Sequence, residues 1–166
     1  MRVGFTGPLS GMTDAQRFEV RALLGSTRAK ELHHGDRVGA DEQAVAIASA
    51  LGMWIVAHPP AERGRRAGCE YDEAWPIRSY AQCNEDIVLA TDLLLSAPKG
   101  PETRRSRAWS TIRIACQAHP PRPHLIIWPD GSVSCGPRDT LGCYLIRDEA
   151  IQGLCELATT DRHRCA

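Results

Sequence analysis

Short apolar runs alternate with longer segments of helical spacing along most of the chain. Five runs have the length and composition of buried strands, at residues 2–6, 31–34, 53–58, 92–97 and 124–128. The segments between them carry apolar residues three and four positions apart, as at Ala44, Ile47, Ala48 and Leu51. This alternation predicts a doubly wound α/β fold, with a mainly parallel five-stranded sheet and helices on both faces.

Polar residues mark where the helices begin. Thr13 and Gln16 have the spacing of a capping box, and Ser79 and Gln82 repeat that spacing. Ser106 has the position and chemistry of a further helix cap. We therefore expect helices to start directly after residues 13, 79 and 106.

The regular alternation fades after Pro129. Asp130-Gly131 is typical of a tight hairpin turn, and residues 148–158 have the pattern of one more helix. We predict a single domain over residues 1–131, with residues 132–166 as a C-terminal extension packed on the same domain.

The charge balance narrows the class of partner. Twenty basic residues offset twenty acidic ones in 166 residues, so no global positive field favours nucleic acid. No apolar run approaches the roughly 20 residues that a membrane-spanning helix needs. The chain also passes from Met1 into the first strand without the apolar core of a signal peptide. These features predict a cytoplasmic protein whose partner is neither a membrane nor a nucleic acid.

The seven cysteines include no C-x-x-C pair. In a reducing compartment such residues are free thiols, several of them packed as small apolar side chains. An alternative is a zinc site built from Cys135, Cys143, Cys155, His163 and Cys165. Their spacing matches no compact ligand knuckle, and the adjacent His33 and His34 would point to opposite faces of a strand. The expectation is a protein with no metal and no cofactor.

The segment HHGDRVGAD, residues 33–41, is expected to form a strand–turn–helix corner. In a doubly wound sheet the ligand lies beyond the carboxyl ends of the strands, where this corner falls. Gly35 and Gly39 would let the backbone turn sharply and approach a ligand. Of Asp36 and Asp41, one is expected to cap the next helix and the other to contact a ligand, as at a sugar hydroxyl.

Two other strand ends carry residues suited to an anion. The loop Gly7–Gly11 enters a helix, a geometry that presents backbone N–H groups to negative charge. Lys99 and Arg107 flank the start of another helix, where positive side chains oppose the helix dipole. A phosphate held there would reconcile these features; the alternative is a solvated basic loop. Trp109, one turn into that helix, is either a ring that stacks on a base or a core anchor.

These motifs, in this order, resemble the SLOG/LOG–DprA superfamily of Rossmann-like proteins, and in particular short bacterial and phage members with an HHGDxVGAD motif. The resemblance covers roughly residues 1–131 and rests on Gly4–Gly7, Gly11–Gln16, His33–Asp41, His58–Pro60, Cys83–Val88, Thr91–Pro98 and Arg105–Ala115. It implies a Rossmann-like fold with a pocket for a nucleotide-like ligand at the strand ends. Members include nucleotide phosphoribohydrolases, a molybdenum-cofactor carrier, single-stranded DNA loaders, and sensors of ADP-ribose-type signals in antiphage defence.

Departures from the superfamily pattern bear on catalysis. Where the phosphoribohydrolases carry P-G-G-x-G-T-x-x-E, this chain has Arg107-Ala108 in place of the phosphate-binding Gly-Thr and Thr111 in place of the glutamate. Cleavage of an N-glycosidic bond calls for a carboxylate, which Thr111 cannot supply. Cys83 replaces the usual arginine before Asn84. This pattern favours a protein that holds its ligand over an enzyme that cleaves it.

We therefore predict a protein that binds a nucleotide-derived small molecule, ADP-ribose-like or nucleoside-phosphate-like, as a sensor, carrier or sequestering protein. The resemblance also implies a homo-oligomer and a role in antiphage signalling. The alternative is an N-glycosidase, phosphoribohydrolase or deoxyribosyltransferase acting on nucleoside phosphates, which the likeness of Gly7–Gly11 to the G-P-x-S-G loop of deoxyribosyltransferases favours. Single-stranded DNA binding is a third and weaker hypothesis.

No catalytic residue is assigned. The predicted ligand contacts are Gly7, Ser10, His34, Gly35, Asp36, Gly39, Asp41, Asn84, Ala97, Pro98, Lys99, Ser106, Arg107, Trp109 and Ser110.

Overall fold

A computed structural model of the chain describes residues 1–135, which contain seven strands and four helices. The strands are β1 (Arg2–Thr6), β2 (Glu31–His34), β3 (Trp54–Ala57), β4 (Glu73–Ala74), β5 (Leu93–Ser96), β6 (His124–Ile127) and β7 (Val133–Ser134). The helices are α1 (Asp14–Ser26), α2 (Ala40–Ala50), α3 (Tyr80–Ala90) and α4 (Arg107–Gln117), and a 3₁₀ turn covers Arg63–Arg65.

One sheet contains all seven strands, in the order β4-β3-β2-β1-β5-β6-β7. Neighbouring strands are parallel except β6 and β7, which form an antiparallel pair. From the central β1 the chain builds outward through β2 and β3, then crosses to the other side and continues through β5 and β6. The predicted doubly wound, mainly parallel α/β fold is confirmed.

The expected number of five strands is wrong by two short edge strands. β4 consists of two exposed residues, Glu73–Ala74, that pair with the end of β3. Two exposed residues have no apolar periodicity from which a strand could be predicted. β7 completes the hairpin predicted at Asp130-Gly131, where Gly131 has a φ of +83°.

The sheet continues past residue 131, because β7 belongs to the predicted extension and pairs with β6. The helix predicted at residues 148–158 lies outside the described residues, as do the zinc alternative's Cys143, Cys155, His163 and Cys165. None of the helices within residues 1–135 is long and apolar enough to cross a membrane.

The two faces of the sheet are covered by different helices. Val3, Phe5 and Leu95 belong to the largest apolar cluster, which α1 and α2 complete on one face. Leu94 packs with residues of α3 and α4, and a Cβ at Gly4 would overlap the Ile87 side chain of α3. Successive strand residues point to opposite faces, so each strand contributes alternately to the two layers.

The predicted caps define the starts of three helices. Thr13 and Gln16 exchange both bonds of a capping box at α1, and Ser79 and Gln82 do so at α3. The Ser106 hydroxyl accepts a backbone N–H of the first turn of α4. These bonds satisfy N–H groups that have no partner within the helix.

The start of α2 differs from the expectation, because neither Asp36 nor Asp41 caps it. The N-cap is Gly39, with a φ of +90° and no side chain to accept a bond. A Cβ at Gly39 would overlap the carbonyl oxygen of Leu9. Asp41 and Glu42 lie in the first turn, where negative charge favours the helix dipole.

Gln16 joins α1 to the carboxyl ends of two strands. Its Nε2 donates to the carbonyl oxygens of Pro98 and Ile127, at 2.9 Å each. The Thr13 hydroxyl donates to the carbonyl of Pro129 at 2.9 Å. The points where the chain leaves β5 and β6 are therefore fixed by α1.

Candidate functional site

Polar and charged side chains concentrate at the carboxyl ends of β1, β2 and β5, on both sides of the switch point between β1 and β5, where the chain crosses from one half of the sheet to the other. Three connections meet there: Gly7–Gly11, Gly35–Gly39 and residues 97–106. In doubly wound sheets the loops on the two sides of this point diverge and leave a crevice that takes ligands. This end of the sheet, at the carboxyl ends of β1, β2 and β5, is the candidate functional site.

The loop after β1 packs directly on the corner that opens α2. The Ala40 N–H donates to the Pro8 carbonyl at 3.0 Å, and a Cβ at Gly7 would overlap the Ala40 side chain. Gly7 and Gly39 therefore serve the close approach of two backbones. The exposed Ser10 is the polar side chain that this loop presents to solvent.

A buried ion pair stabilises the corner. Arg37 donates through Nε and Nη2 to the two carboxylate oxygens of Asp41, at 3.2 and 3.3 Å, and the Gly35 N–H donates to Asp41 Oδ2 at 3.1 Å. Burial alone would lower the pKa of Arg37, but the Asp41 carboxylate and the Tyr80 hydroxyl together outweigh burial and raise that pKa above its ordinary value. Both oxygens of Asp41 are thus engaged within the chain.

The other aspartate of the corner holds a loop. Asp36 adopts a left-handed φ of +49° and is fully buried. Its Oδ2 accepts from Arg66 Nε at 2.8 Å, and its Oδ1 from the N–H groups of Gly68 and Cys69 at 3.0 and 3.2 Å. The sugar contact expected of Asp36 is replaced by this clamp, because a buried carboxylate has to be paired. Burial and the Asp36 charge raise the pKa of the Cys69 thiol to about 11.

Tyr80, the first residue of α3, brings two arginines together. The guanidinium carbons of Arg37 and Arg107 lie 5.1 and 5.0 Å from its ring centroid, within the range of cation–π attraction. Arg37 Nη1 also donates to the Tyr80 hydroxyl at 2.8 Å. The half-buried Arg107 guanidinium has no carboxylate partner among the residues described.

Hydroxyl and amide groups lie at the same end of the face covered by α3 and α4. The hydroxyl oxygens of Thr6 and Thr111 are 3.3 Å apart. Ser96 is the register partner of Thr6, so its side chain lies on the same face. Ser96 Oγ and Asn84 Nδ2 are buried without a hydrogen-bond partner within residues 1–135. Such atoms cost about 1 to 3 kcal/mol each and call for a function.

Two histidines form a buried pair on this face. His33 Nδ1 and His58 Nε2 are 2.9 Å apart, and His33 Nε2 lies 3.4 Å from Glu31 Oε2. The Trp75 ring covers His58, with centroids 4.6 Å apart. Burial lowers the pKa of His33 although Glu31 opposes it, and burial with the neighbouring histidines lowers the pKa of His58 to about 3.

The third histidine belongs to the opposite face. His34 Nδ1 accepts the Asp36 N–H at 3.1 Å, and burial lowers the pKa of His34. Its side chain therefore stabilises the turn of the corner. Among the described residues, no group of three His, Cys, Asp or Glu side chains is arranged to hold a metal.

Acid should destabilise the fold through His58. In the unfolded chain this histidine takes up a proton near pH 6.5, whereas in the folded chain it stays neutral down to about pH 3. The unfolded state binds more protons in that interval, so stability present above pH 6.5 is lost as the pH falls towards 3. Urea unfolding should report a loss of about 2 kcal/mol from His58 alone between neutral pH and about pH 5.

The contribution of His58 is isolated by comparing variants. His58→Gln should reduce the pH dependence by about 2 kcal/mol, while the exposed His119→Gln should leave it as in the wild type. A His58→Gln variant with the same pH dependence as the wild type would contradict this origin.

The structure divides the predicted contact residues into two groups. Those that hold the fold together are Gly7, His34, Gly35, Asp36, Gly39, Asp41, Ala97, Pro98 and Trp109. The others are exposed or half-buried, or keep a buried atom without a partner among the described residues: Ser10, Asn84, Lys99, Ser106, Arg107 and Ser110, of which Ser106 also caps α4. Trp109 is a core anchor, because it is buried against Trp128 and its Nε1 donates to the Gly100 carbonyl at 3.0 Å. Its ring is therefore not available to stack on a base.

Four further residues at this end of the sheet are absent from the predicted ligand contacts: Arg37, His58, Tyr80 and Ser96. Ser96 and His58 stand at or just after the end of a buried strand, which is a usable signal. Arg37 lies inside the corner motif but looks like a solvated charge in the sequence. Tyr80 follows a helix cap and resembles an ordinary first-turn residue.

No family model matches the sequence, and no curated protein matches it. Solved structures do match in fold. The molybdenum cofactor binding protein from the phototrophic bacterium Rippkaea orientalis has a TM-score of 0.60 and 19% identity, with 76% of each chain covered. The chain therefore shares a Rossmann-like α/β fold with this protein. The Moco carrier protein from Chlamydomonas reinhardtii has a TM-score of 0.51 and 19% identity, covering 75% of this chain and 74% of that one. A structural-genomics target designated TM1055 has a TM-score of 0.54 and 17% identity, covering 74% and 71%.

Proposed function

We propose that the chain binds a nucleotide-derived small molecule, ADP-ribose-like or nucleoside-phosphate-like, at the carboxyl ends of β1 and β5, and holds it without cleaving it. The observation that carries this proposal is the Arg107 guanidinium. It is half-buried at the start of α4, against the helix dipole, with no carboxylate partner among the described residues. A phosphate bound by the helix N-terminus and by Arg107 would pair the half-buried charge and offset its repulsion by the helix dipole.

The surrounding residues suit a ligand with one anionic end and one polar end. Lys99, Ser106 and Ser110 flank the start of α4 and are exposed or half-buried. Ser96 Oγ and Asn84 Nδ2 lie deeper, on the α3–α4 face of the sheet, where a sugar or base would complete their hydrogen bonds. Two of the structurally similar proteins are named for binding or carrying the molybdenum cofactor, which supports a small-molecule role for this crevice.

The state of the carboxylates favours holding over cleavage. Thr111 stands where phosphoribohydrolases carry their glutamate, and it is buried, with its hydroxyl 3.3 Å from that of Thr6. Asp36 and Asp41 have every carboxylate oxygen bonded within the chain. An N-glycosidase or deoxyribosyltransferase is the second candidate, and the release of free base from a nucleoside phosphate would favour it. Cytoplasmic location, homo-oligomerisation and antiphage signalling stay predictions.

Arg107→Ala should weaken binding of the phosphate-bearing ligand by about tenfold or more, because a charge-assisted hydrogen bond contributes about 1.5 to 3 kcal/mol. Calorimetry of the wild type against ADP-ribose, cyclic ADP-ribose isomers and nucleoside monophosphates identifies the ligand, and the variant is titrated with the ligand that binds. Arg21→Ala is a matched control, since Arg21 is exposed on α1 at the opposite face.

Two results would count against the proposal. One is a wild type that binds no member of the panel. The other is an Arg107→Ala variant that keeps the wild-type affinity, while Arg21→Ala also keeps it. Mass spectrometry of small molecules that copurify with the protein gives an independent identification of the ligand class.

A further inference from the structure

The pair His33–His58 forms a chain of ring nitrogens that begins at a carboxylate and ends at a buried atom. Glu31 Oε2 lies 3.4 Å from His33 Nε2, and His33 Nδ1 lies 2.9 Å from His58 Nε2. The last nitrogen, His58 Nδ1, is buried and has no hydrogen-bond partner within residues 1–135. His58 as a whole is 1% exposed.

The chemistry of Glu31 fixes the protons along this chain. A carboxylate accepts hydrogen bonds and donates none, so His33 carries its proton on Nε2. His33 Nδ1 is then an acceptor, and His58 has to donate to it from Nε2. A neutral imidazole has one N–H, so His58 Nδ1 bears a lone pair. His58 is neutral at ordinary pH, because burial holds its pKa at about 3.

His58 lies on the same face and at the same end of the sheet as the deeper part of the proposed site. His33 is the register partner of Gly4, whose missing Cβ faces α3, so the histidine pair also lies on the α3 side. The Cys83 thiol of α3 donates to the carbonyl of Pro59, next to His58, at 3.5 Å. Asn84, with its unpartnered Nδ2, directly follows Cys83.

From this geometry we propose that His58 Nδ1 is a specificity-determining acceptor. Glu31, acting through His33, keeps that nitrogen unprotonated. The inference rests on the proposed function. It also fixes how the ligand is oriented in the site. The anionic end meets Arg107, and the buried end carries an N–H or O–H donor, such as an amine or a sugar hydroxyl. A carbonyl or phosphate oxygen at that end is rejected, because two acceptors would face each other without a proton.

Nitrogen NMR of the ligand-free protein tests the proton assignment directly. The wild type should show His58 protonated at Nε2 and bare at Nδ1. Glu31→Gln should convert part of His58 to the Nδ1–H form, since a glutamine amide can donate to His33 as well as accept. A wild type protonated at Nδ1 overturns the proposal, and an unchanged His58 in Glu31→Gln overturns the positioning role of Glu31.

Ligand binding tests the specificity role with adenosine monophosphate as the probe. His58→Gln keeps a polar atom near the Nε2 position, and so the bond to His33, but removes the Nδ1 acceptor; it should bind the probe about tenfold more weakly. In the wild type, the probe should shift the nitrogen resonance of His58 Nδ1 as that atom accepts a hydrogen bond.

The failures of the two proposals are distinguishable. A wild type that binds neither the probe nor any other member of the panel contradicts the proposed function, while the NMR result still decides the state of His58. A probe that binds the wild type and His58→Gln equally well overturns the specificity role and leaves the proposed function standing.

Discussion

Asp41→Ala should lower the free energy of unfolding by about 3 to 5 kcal/mol. The substitution leaves the Arg37 guanidinium buried without its countercharge, and Arg37 is one of the least exposed charged side chains described. It also removes the acceptor of the Gly35 N–H at the turn of the corner. Removing one partner of a buried pair is costly because the remaining charge stays desolvated.

Chemical denaturation monitored by circular dichroism measures this loss. Glu102→Ala is the matched control: it breaks an ion pair with Arg113 of 2.8 Å whose side chains are about 40% exposed, so it should cost about 1 kcal/mol or less. The double variant Arg37→Met, Asp41→Asn should recover most of the stability, because it removes both charges, nearly keeps the two side-chain volumes and leaves an amide oxygen to accept the Gly35 N–H. An Asp41→Ala variant within 1 kcal/mol of the wild type, about the cost of a surface pair, would contradict the account of this ion pair.

Gly39→Ala should be the second severe substitution, with a loss of about 3 kcal/mol or more. Its φ of +90° and ψ of −115° are strained for any residue with a Cβ. The added methyl would also overlap the backbone of Leu9, which cannot move without separating the loop after β1 from α2. The same denaturation experiment measures this loss.

Two other glycines separate these effects. Gly52→Ala meets a φ of +70° but no atom within 4 Å, so it should cost about 1 to 2 kcal/mol from backbone strain alone. Gly25→Ala lies in α1 with open space around it, and should raise stability by about 0.5 to 1 kcal/mol. If Gly39→Ala costs no more than Gly52→Ala, close packing at this corner is not what requires the glycine.

Local sequence rules were sufficient for most of the fold. Caps at Thr13, Ser79 and Ser106 set helix starts because their bonds involve residues three positions away. The buried strands carry apolar runs that no amphipathic helix would show. β4 was missed because it is two residues long and exposed on an edge, where pairing with β3 decides the conformation and side-chain pattern does not.

The candidate site was predictable in position but not in detail. Strand ends indicate where a ligand can lie, and Arg107 at a helix start indicates an anion. The partners of buried charges come from distant segments, however: Asp36 bonds residues 30 or more positions away, and Arg37 meets Tyr80 43 positions on. Both aspartates therefore looked available for a ligand in the sequence, while the structure engages them internally. The role of His58 depends on its contact with the His33 ring in β2, which the sequence does not show.

Fixed anchors at both ends of the loop after β5 make that loop a natural place for protein engineering. Gln16 holds the Pro98 carbonyl at one end, while Trp109 Nε1 holds Gly100 and the Ser106 cap fixes the other end. Residues 101–105 between these anchors are all exposed. A library of loops with different charge and length can be grafted there without rebuilding the core. Under the proposed function, selection on such a library would change which molecule this end of the sheet binds, while the sheet stays the same.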